Sequence, residues 1–211
     1  RLEYPNYWNK PVPASGNHNS PLMIVGLAPG RHGANRTGIP FTGDASGDLL
    51  FQTLDKLSLV DRVIITNAVK CLPVKNKPEN REITNCQRYL IPEINRHKEK
   101  PNAVFLALGR IAHDAILKAM SLTLAKHPFG HGRYYTLSGA SLVDSYHCSR
   151  YNTQTGRLTV YMLENAISRA AQLAGMSHER IPGSYPANGC FPDNSNSRPI
   201  NPEQGVASVG I

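Results

Sequence analysis

Residues Leu22 to Gly47 read LMIVGLAPGRHGANRTGIPFTGDASG: an apolar run, a long glycine-rich loop and, from Asp44 to Ser46, the opening of a helical pattern. The run Leu22 to Leu27 does not alternate with polar residues, as expected of a strand buried on both faces in a parallel sheet. Three more runs have the same character: Arg62 to Asn67, Ala103 to Leu108 and Ser141 to Tyr146. Helical patterns fall between and after them. Leu49, Leu50, Leu54 and Leu57 form one apolar face of the first. Glu79 and Glu82, just past Pro78, open the second, which runs toward His97 and which Pro92 should end or kink. The third starts at Gly109 with Ile111, Ala115, Ile116 and Met120, and the fourth spans about Leu158 to Ala174, stopping at Gly175. Strands alternating with helices predict a three-layer α/β/α sandwich around a central four-stranded parallel sheet with right-handed crossovers. In such sheets ligands sit beyond the carboxyl ends of the strands, where this chain places its unusual loops.

A chain of 211 residues is long enough for one sizeable core. We expect a catalytic domain over residues 1–175 and, over 176–211, a Pro, Gly, Asn and Ser-rich tail that is disordered or draped over it. The 23 Lys and Arg exceed the 15 Asp and Glu by +8, which points to a polyanionic partner. The 40% hydrophobic share excludes a wholly disordered chain. No apolar run approaches the roughly 18–20 residues of a spanning helix, and no basic stretch leads into an apolar signal core. The expected compartment is the cytoplasm, wherever DNA or RNA is kept, with no membrane partner.

Six glycines between Gly26 and Gly47 let the backbone approach a ligand and present its N–H groups just before a helix N-terminus. A phosphate loop is the generic reading, but neither the Walker pattern nor GxGxxG is present. Asn67, at the end of the second run, offers an amide donor and acceptor side by side and matches the imide edge of a pyrimidine such as uracil; a turn-forming asparagine is the competing reading. After the fourth run comes SYHCSRYNTQTGRLT, residues 145–159. There His147 can stabilise a developing anion or serve structure alone, while Arg150 and Arg157 can meet phosphates.

GLAPGRHGANRTGIPFTGDASG together with SYHCSRYNTQTGRLT resembles the paired motifs of the family 5, or B-type, uracil-DNA glycosylases of prokaryotes. ITNAVKC, the proline-rich run to Cys86 and the lead-in Tyr7 to Pro13 match as well, so the resemblance covers about residues 7–174. It implies a monofunctional base-excision repair enzyme, close to the nucleoid and expected as a monomer. Such an enzyme hydrolyses the N-glycosidic bond of uracil in DNA, with hypoxanthine and xanthine as further candidate bases, and leaves an abasic site. The target nucleotide must be flipped into a pocket. Arg150 and Tyr151 are then candidates for the wedge and for strand contact, with Arg31, Arg36 and Arg157 gripping phosphates. The resemblance makes Phe41 the aromatic face for the base, against a core reading. His147 and backbone N–H groups from Gly26 to Ala28 would stabilise the base anion, and Asn67 would read the base edge. Asp44 would orient water and stabilise the sugar cation, or simply cap a helix. Other families of these enzymes carry an acid close behind the Pro-Gly turn; Arg31-His32-Gly33 stands there instead, a lack typical of family 5, and His32 becomes a candidate pocket wall or phosphate contact.

The four cysteines are Cys71, Cys86, Cys148 and Cys190, with no CxxC among them. The resemblance implies that Cys71 and Cys86 are two of four ligands to a structural [4Fe-4S] cluster, the other two coming from a CxxC-like segment before Tyr7. The chain starts at Arg1 rather than methionine, so a lost upstream segment is expected, against loss of the cluster in this member. Two readings compete with a glycosylase: a catalytically weak nucleic-acid-binding module on the same fold, and a generic nucleotide-binding enzyme.

Overall fold

The computed structural model describes residues 3–74 and 77–176, so the expected tail falls outside the described residues apart from Met176. The four apolar runs form β2 (Leu22–Gly26), β3 (Ile64–Asn67), β4 (Val104–Leu108) and β6 (Ala140–Ser145), mutually parallel in the order β3-β2-β4-β6. Two strands absent from the sequence reading extend this sheet to six. The first, β1 (Ser15–Gly16), pairs antiparallel with β3, and β5 (Tyr134–Leu137) pairs antiparallel with β6. The central parallel sheet is therefore as expected, with antiparallel edges added. Edge pairing needs only one buried face, so these strands lack the continuous apolar runs of the centre.

Six α-helices are described. The four expected ones are α2 (Ala45–Lys56), α3 (Asn80–Lys98), α4 (Arg110–Ala119) and α6 (Val160–Leu173); two short ones, α1 (Ala34–Thr37) and α5 (Arg150–Gln154), lie within the motif loops. Side chains alternate between the sheet's faces. Leu22, Ile24, Ile65, Leu106 and Val143 pack with Leu50 and Leu54 of α2 and Leu163 and Ile167 of α6. On the other face Met23, Val25, Ile64, Phe105 and Leu142 pack with Leu90 and Ile94 of α3 and Ile116 of α4. The result is the expected three-layer sandwich.

Pro92 does not end its helix: α3 runs on to Lys98. Proline removes a backbone donor and disfavours a helix interior, but Cys86 and Leu90 before it and Ile94 and His97 after it are all buried. Both halves of the helix are thus anchored to the same core. A reciprocal capping box between Glu79 and Glu82 fixes the start of α3.

Two buried polar clusters escaped the sequence reading. Lys70, only 1% exposed, reaches Glu93 of α3 with Nζ 2.6 Å from Oε2, and also contacts Thr66 Oγ1. Burial lowers the pKa of this ammonium, and Glu93 works against that. Behind β6, His113 Nδ1 lies 2.7 Å from Asp144 Oδ1, and its Nε2 donates to the His127 carbonyl at 2.8 Å. Gly130 N–H donates to the second Asp144 oxygen at 3.3 Å. For His113, burial pushes the pKa down, but the hydrogen bond and charge of Asp144 outweigh it and the net shift is upward.

Candidate active site

The carboxyl ends of β2, β3, β4 and β6 lie along one edge of the sheet, and β2 sits between β3 and β4, where chain connections leave in opposite directions. Gly26 ends β2 and is in register with Asn67, which ends β3. Their pairing continues outward, with Ala68 N–H donating to Gly26 O at 2.9 Å and Val69 N–H to Leu27 O at 3.0 Å. Ala28 follows, half-buried. His147 lies just past β6, and Gly109, past β4, backs against it: a Cβ on Gly109 would stand 3.3 Å from His147 Cβ. Asn152 Nδ2 donates to the His147 carbonyl at 2.7 Å, and the Ser149 side chain caps α5, so the loop carrying the histidine is held by its own sequence.

Gly26 is where the pocket residues converge. A Cβ there would stand 2.4 Å from Asn67 Oδ1 and 2.4 Å from Cε2 and Cζ of Phe41, so only glycine admits both side chains. Phe41 holds a positive φ of 58°, and its ring stacks with the His147 imidazole at 6.1 Å between centroids and 28° between planes. The ring also belongs to the core on the α2 and α6 face, as its core reading expected. Asp44 caps a helix, as its structural reading expected. Oδ1 accepts the Ser46 and Gly47 N–H groups at 3.1 and 3.0 Å, capping α2. Oδ2 lies over the loop backbone, 2.8 Å from a Cβ position on Gly30 and 2.3 Å from one on Gly33. One oxygen holds the helix, and the other makes neither of these cap bonds.

Two buried polar atoms here have no partner among the described residues: Asn67 Oδ1 and His147 Nδ1. An unsatisfied buried acceptor is costly until a water or a ligand supplies a donor. Burial lowers the His147 pKa to about 4, against the opposing pull of Asp44, so the imidazole is neutral at pH 7. Helices α2 and α4 both begin at this edge, at caps Asp44 and Gly109, and their positive ends favour negative charge nearby. Cys148 is buried, its thiol donating to Ser46 O at 3.4 Å; burial pushes its pKa up to about 12, so it is no nucleophile at neutral pH.

The remaining candidates are all exposed. His32 is exposed and turned to the N-terminal segment, its Nδ1 3.0 Å from Tyr7 Oη and its ring edge-on to Tyr4. Arg31 makes an exposed ion pair with Glu3 at 3.4 Å. Arg36 belongs to α1, with its Nη2 3.0 Å from a Cβ position on Gly43. Arg150 is the exposed first residue of α5, and Tyr151 beside it is 70% exposed. The Arg157 guanidinium lies 4.6 Å from the ring centroid of Tyr146, whose ring also stacks with His131 at 5.0 Å. The sequence reading missed His131, which accepts the Tyr146 N–H at 3.2 Å. Its signal is the HGR stretch at 131–133 ahead of two tyrosines, which on its own looks like any polar turn.

Cys71 is half-buried and Cys86 buried, and Cys86 Sγ accepts the Lys70 N–H at 3.3 Å, the kind of contact that a ligating thiolate receives. Among the described residues no group of three or more His, Cys, Asp or Glu is arranged to hold a metal ion. Cys71 and Cys86 are both thiols, the donor type that a cluster takes, one before α3 and one on it.

At the strand ends of an α/β/α sandwich, an amide and an aromatic ring meet over Gly26, a neutral imidazole stacks on that ring and a carboxylate heads α2; this arrangement defines a class. The chain belongs to the family described as "UDG: Uracil DNA glycosylase superfamily", whose sequence model matches residues 13–171. Within it the chain is similar to the type-5 uracil-DNA glycosylase of Thermus thermophilus, 43% identical over 190 residues that cover 81% of this chain and 83% of the relative. The type-5 uracil-DNA glycosylase of Pyrobaculum aerophilum is 43% identical over 189 residues, covering 83% and 81%. These likenesses place the chain in the type-5 family. A type-4 uracil-DNA glycosylase of Saccharolobus solfataricus is 34% identical over 128 residues, covering 59% of this chain and 57% of the relative.

Proposed function

We propose that the protein is a monofunctional uracil-DNA glycosylase, hydrolysing the bond between uracil N1 and the deoxyribose C1′ of a flipped nucleotide. The observation that carries this reading is the unpartnered buried Asn67 Oδ1 beside the Phe41 ring and Gly26. Uracil N3–H is the donor this oxygen needs. Cytosine has an acceptor at N3, which against the amide in this orientation faces the Asn67 oxygen, acceptor against acceptor, and that costs far more than a shape mismatch.

The base lies against Phe41, with its edge on the Asn67 amide. As the glycosidic bond lengthens, charge separates into a sugar cation and a uracil anion. His147, neutral at pH 7, stabilises the anion as a hydrogen-bond donor, together with backbone N–H groups from Gly26 to Ala28. Asp44 Oδ2 stabilises the cation and accepts a proton from the attacking water, whose hydroxyl bonds to C1′ while the anion leaves with the bonding electrons. Arg36, Arg150, Tyr151 and Arg157, all at the exposed rim, engage the strand, and Arg31 does so once released from Glu3. Cys71 and Cys86 would supply two thiolates to a [4Fe-4S] cluster, which when bound ties its loops together as a structural unit. Iron content and visible absorbance of the full-length protein test that element, and iron-free protein with no visible bands would remove it.

The test of the activity is incubation with an oligonucleotide carrying one uracil, followed by alkali. We expect free uracil and strand breakage at that position. No breakage above a heat-killed control would overturn the reading.

A further inference from the structure

Trp8 is the only tryptophan in the chain, is 41% exposed and takes no part in the excision chemistry. Its ring is fixed by the backbone around it. A Cβ on Gly38 would stand 2.8 Å from ring Cδ2, and the indole Nε1–H donates to Pro11 O at 3.1 Å. Trp8 N–H donates to Arg36 O and Asn9 N–H to Asn35 O, each at 3.3 Å, binding this lead-in segment to α1 of the glycine-rich loop. Lys10 Nζ sits 5.6 Å from the ring centroid. Together with Asn6, Tyr7 and Arg36 these residues line an open groove of about 650 Å³, within the range that holds a small organic ligand.

The groove joins a partly exposed indole, with the Lys10 ammonium over its ring, to a second cation, Arg36. Aromatic ring and cations together are what binds single-stranded nucleic acid, the ammonium giving way to the base and turning to its phosphate. It also adjoins the active site through one shared residue. Arg36 lines the groove and reaches Gly43, the neighbour of Asp44. A strand that delivers a nucleotide to Asp44 and passes Arg36 runs on toward Trp8.

We propose that this groove is a second nucleotide subsite, in which a base of the same strand stacks on Trp8 and its phosphate lies between Lys10 and Arg36. The proposal rests on the glycosylase reading only for the direction of the strand, because the subsite itself binds DNA without uracil. Since the chain has one tryptophan, its emission reports on this ring alone. Titrating the full chain with a uracil-free, fluorescein-labelled oligothymidylate, excited separately for tryptophan emission and for fluorescein anisotropy, gives both signals. We expect saturable quenching of Trp8 that follows the anisotropy curve and weakens with salt. Trp8→Ala should weaken binding about tenfold, while Trp8→Phe, which keeps an aromatic face, should stay close to wild type. Binding by anisotropy with no change in Trp8 emission, or equal affinity for Trp8→Ala and wild type, overturns the subsite. Quenching in a protein that excises no uracil keeps the subsite and removes the glycosylase reading instead.

Discussion

Asp44 caps α2 with one oxygen, and the catalytic task proposed for the other separates from the cap by mutation. Asparagine caps a helix as well as aspartate does, so Asp44→Asn should keep thermal stability near wild type while lowering single-turnover excision roughly hundredfold or more. Asp44→Ala should lose the activity and also about 1 kcal/mol of stability with the cap, visible as a lower denaturation midpoint. A fall in stability for both variants with no difference in rate would leave Asp44 a cap alone. At this scale the sequence was informative but ambiguous: Phe41 and Asp44 each supported a structural and a functional reading, and the geometry bears out the structural ones, a core ring and a helix cap, while placing Phe41 against His147. Nothing in local sequence could show that Asn67 Oδ1 is left without a donor, because that depends on how Gly26 and Phe41 crowd it.

Among the elements, the glycine-rich loop and the strand ends carry the site, and the buried clusters hold them. Gly33 is the floor under Asp44 Oδ2, so Gly33→Ala should push the carboxylate aside and lower the excision rate, as a single-turnover assay would show. Lys70 and Glu93 brace the end of β3 against α3. Glu93→Ala would strand a buried ammonium and should cost about 3–5 kcal/mol in a urea denaturation series. A smaller loss would mean that Lys70 escapes to water. The central strands were legible because burial on both faces leaves continuous apolar runs. The edge strand β5 has exposed and half-buried residues at Tyr134, Tyr135 and Thr136, and its signal was the Ser138-Gly139 turn, with Gly139 at φ 81°. His113 and Asp144 were illegible, since partners 31 positions apart leave no local pattern. Pro92 misled because the proline rule is local, whereas the anchoring of α3 is tertiary.

The molecule as a whole carries a basic surplus and keeps several imidazoles uncharged inside. Burial is the main cause of the lowered pKa, to about 4, of His97, His131 and His147, against an ordinary 6.5. Between these values the unfolded chain binds protons that the native chain does not, so these groups make stability rise with pH from about 4 to 6.5. His97→Gln keeps a donor for Val104 O, where the imidazole Nε2 now donates at 3.1 Å, and should flatten that rise in denaturation midpoints. An unchanged slope would mean that His97 is protonated in the native state. The +8 surplus by itself indicates only a polyanion; Arg36, Arg150 and Arg157, all exposed, are the part of it that we propose engages the strand. The central claim is that these residues deliver uracil to an amide waiting with an unpaired oxygen. Single-turnover excision from a uracil-containing oligonucleotide, with wild type beside Asn67→Ala, tests it most directly. The account predicts excision by wild type and a loss of about a hundredfold to a thousandfold in the variant; equal rates in two folded proteins would contradict it.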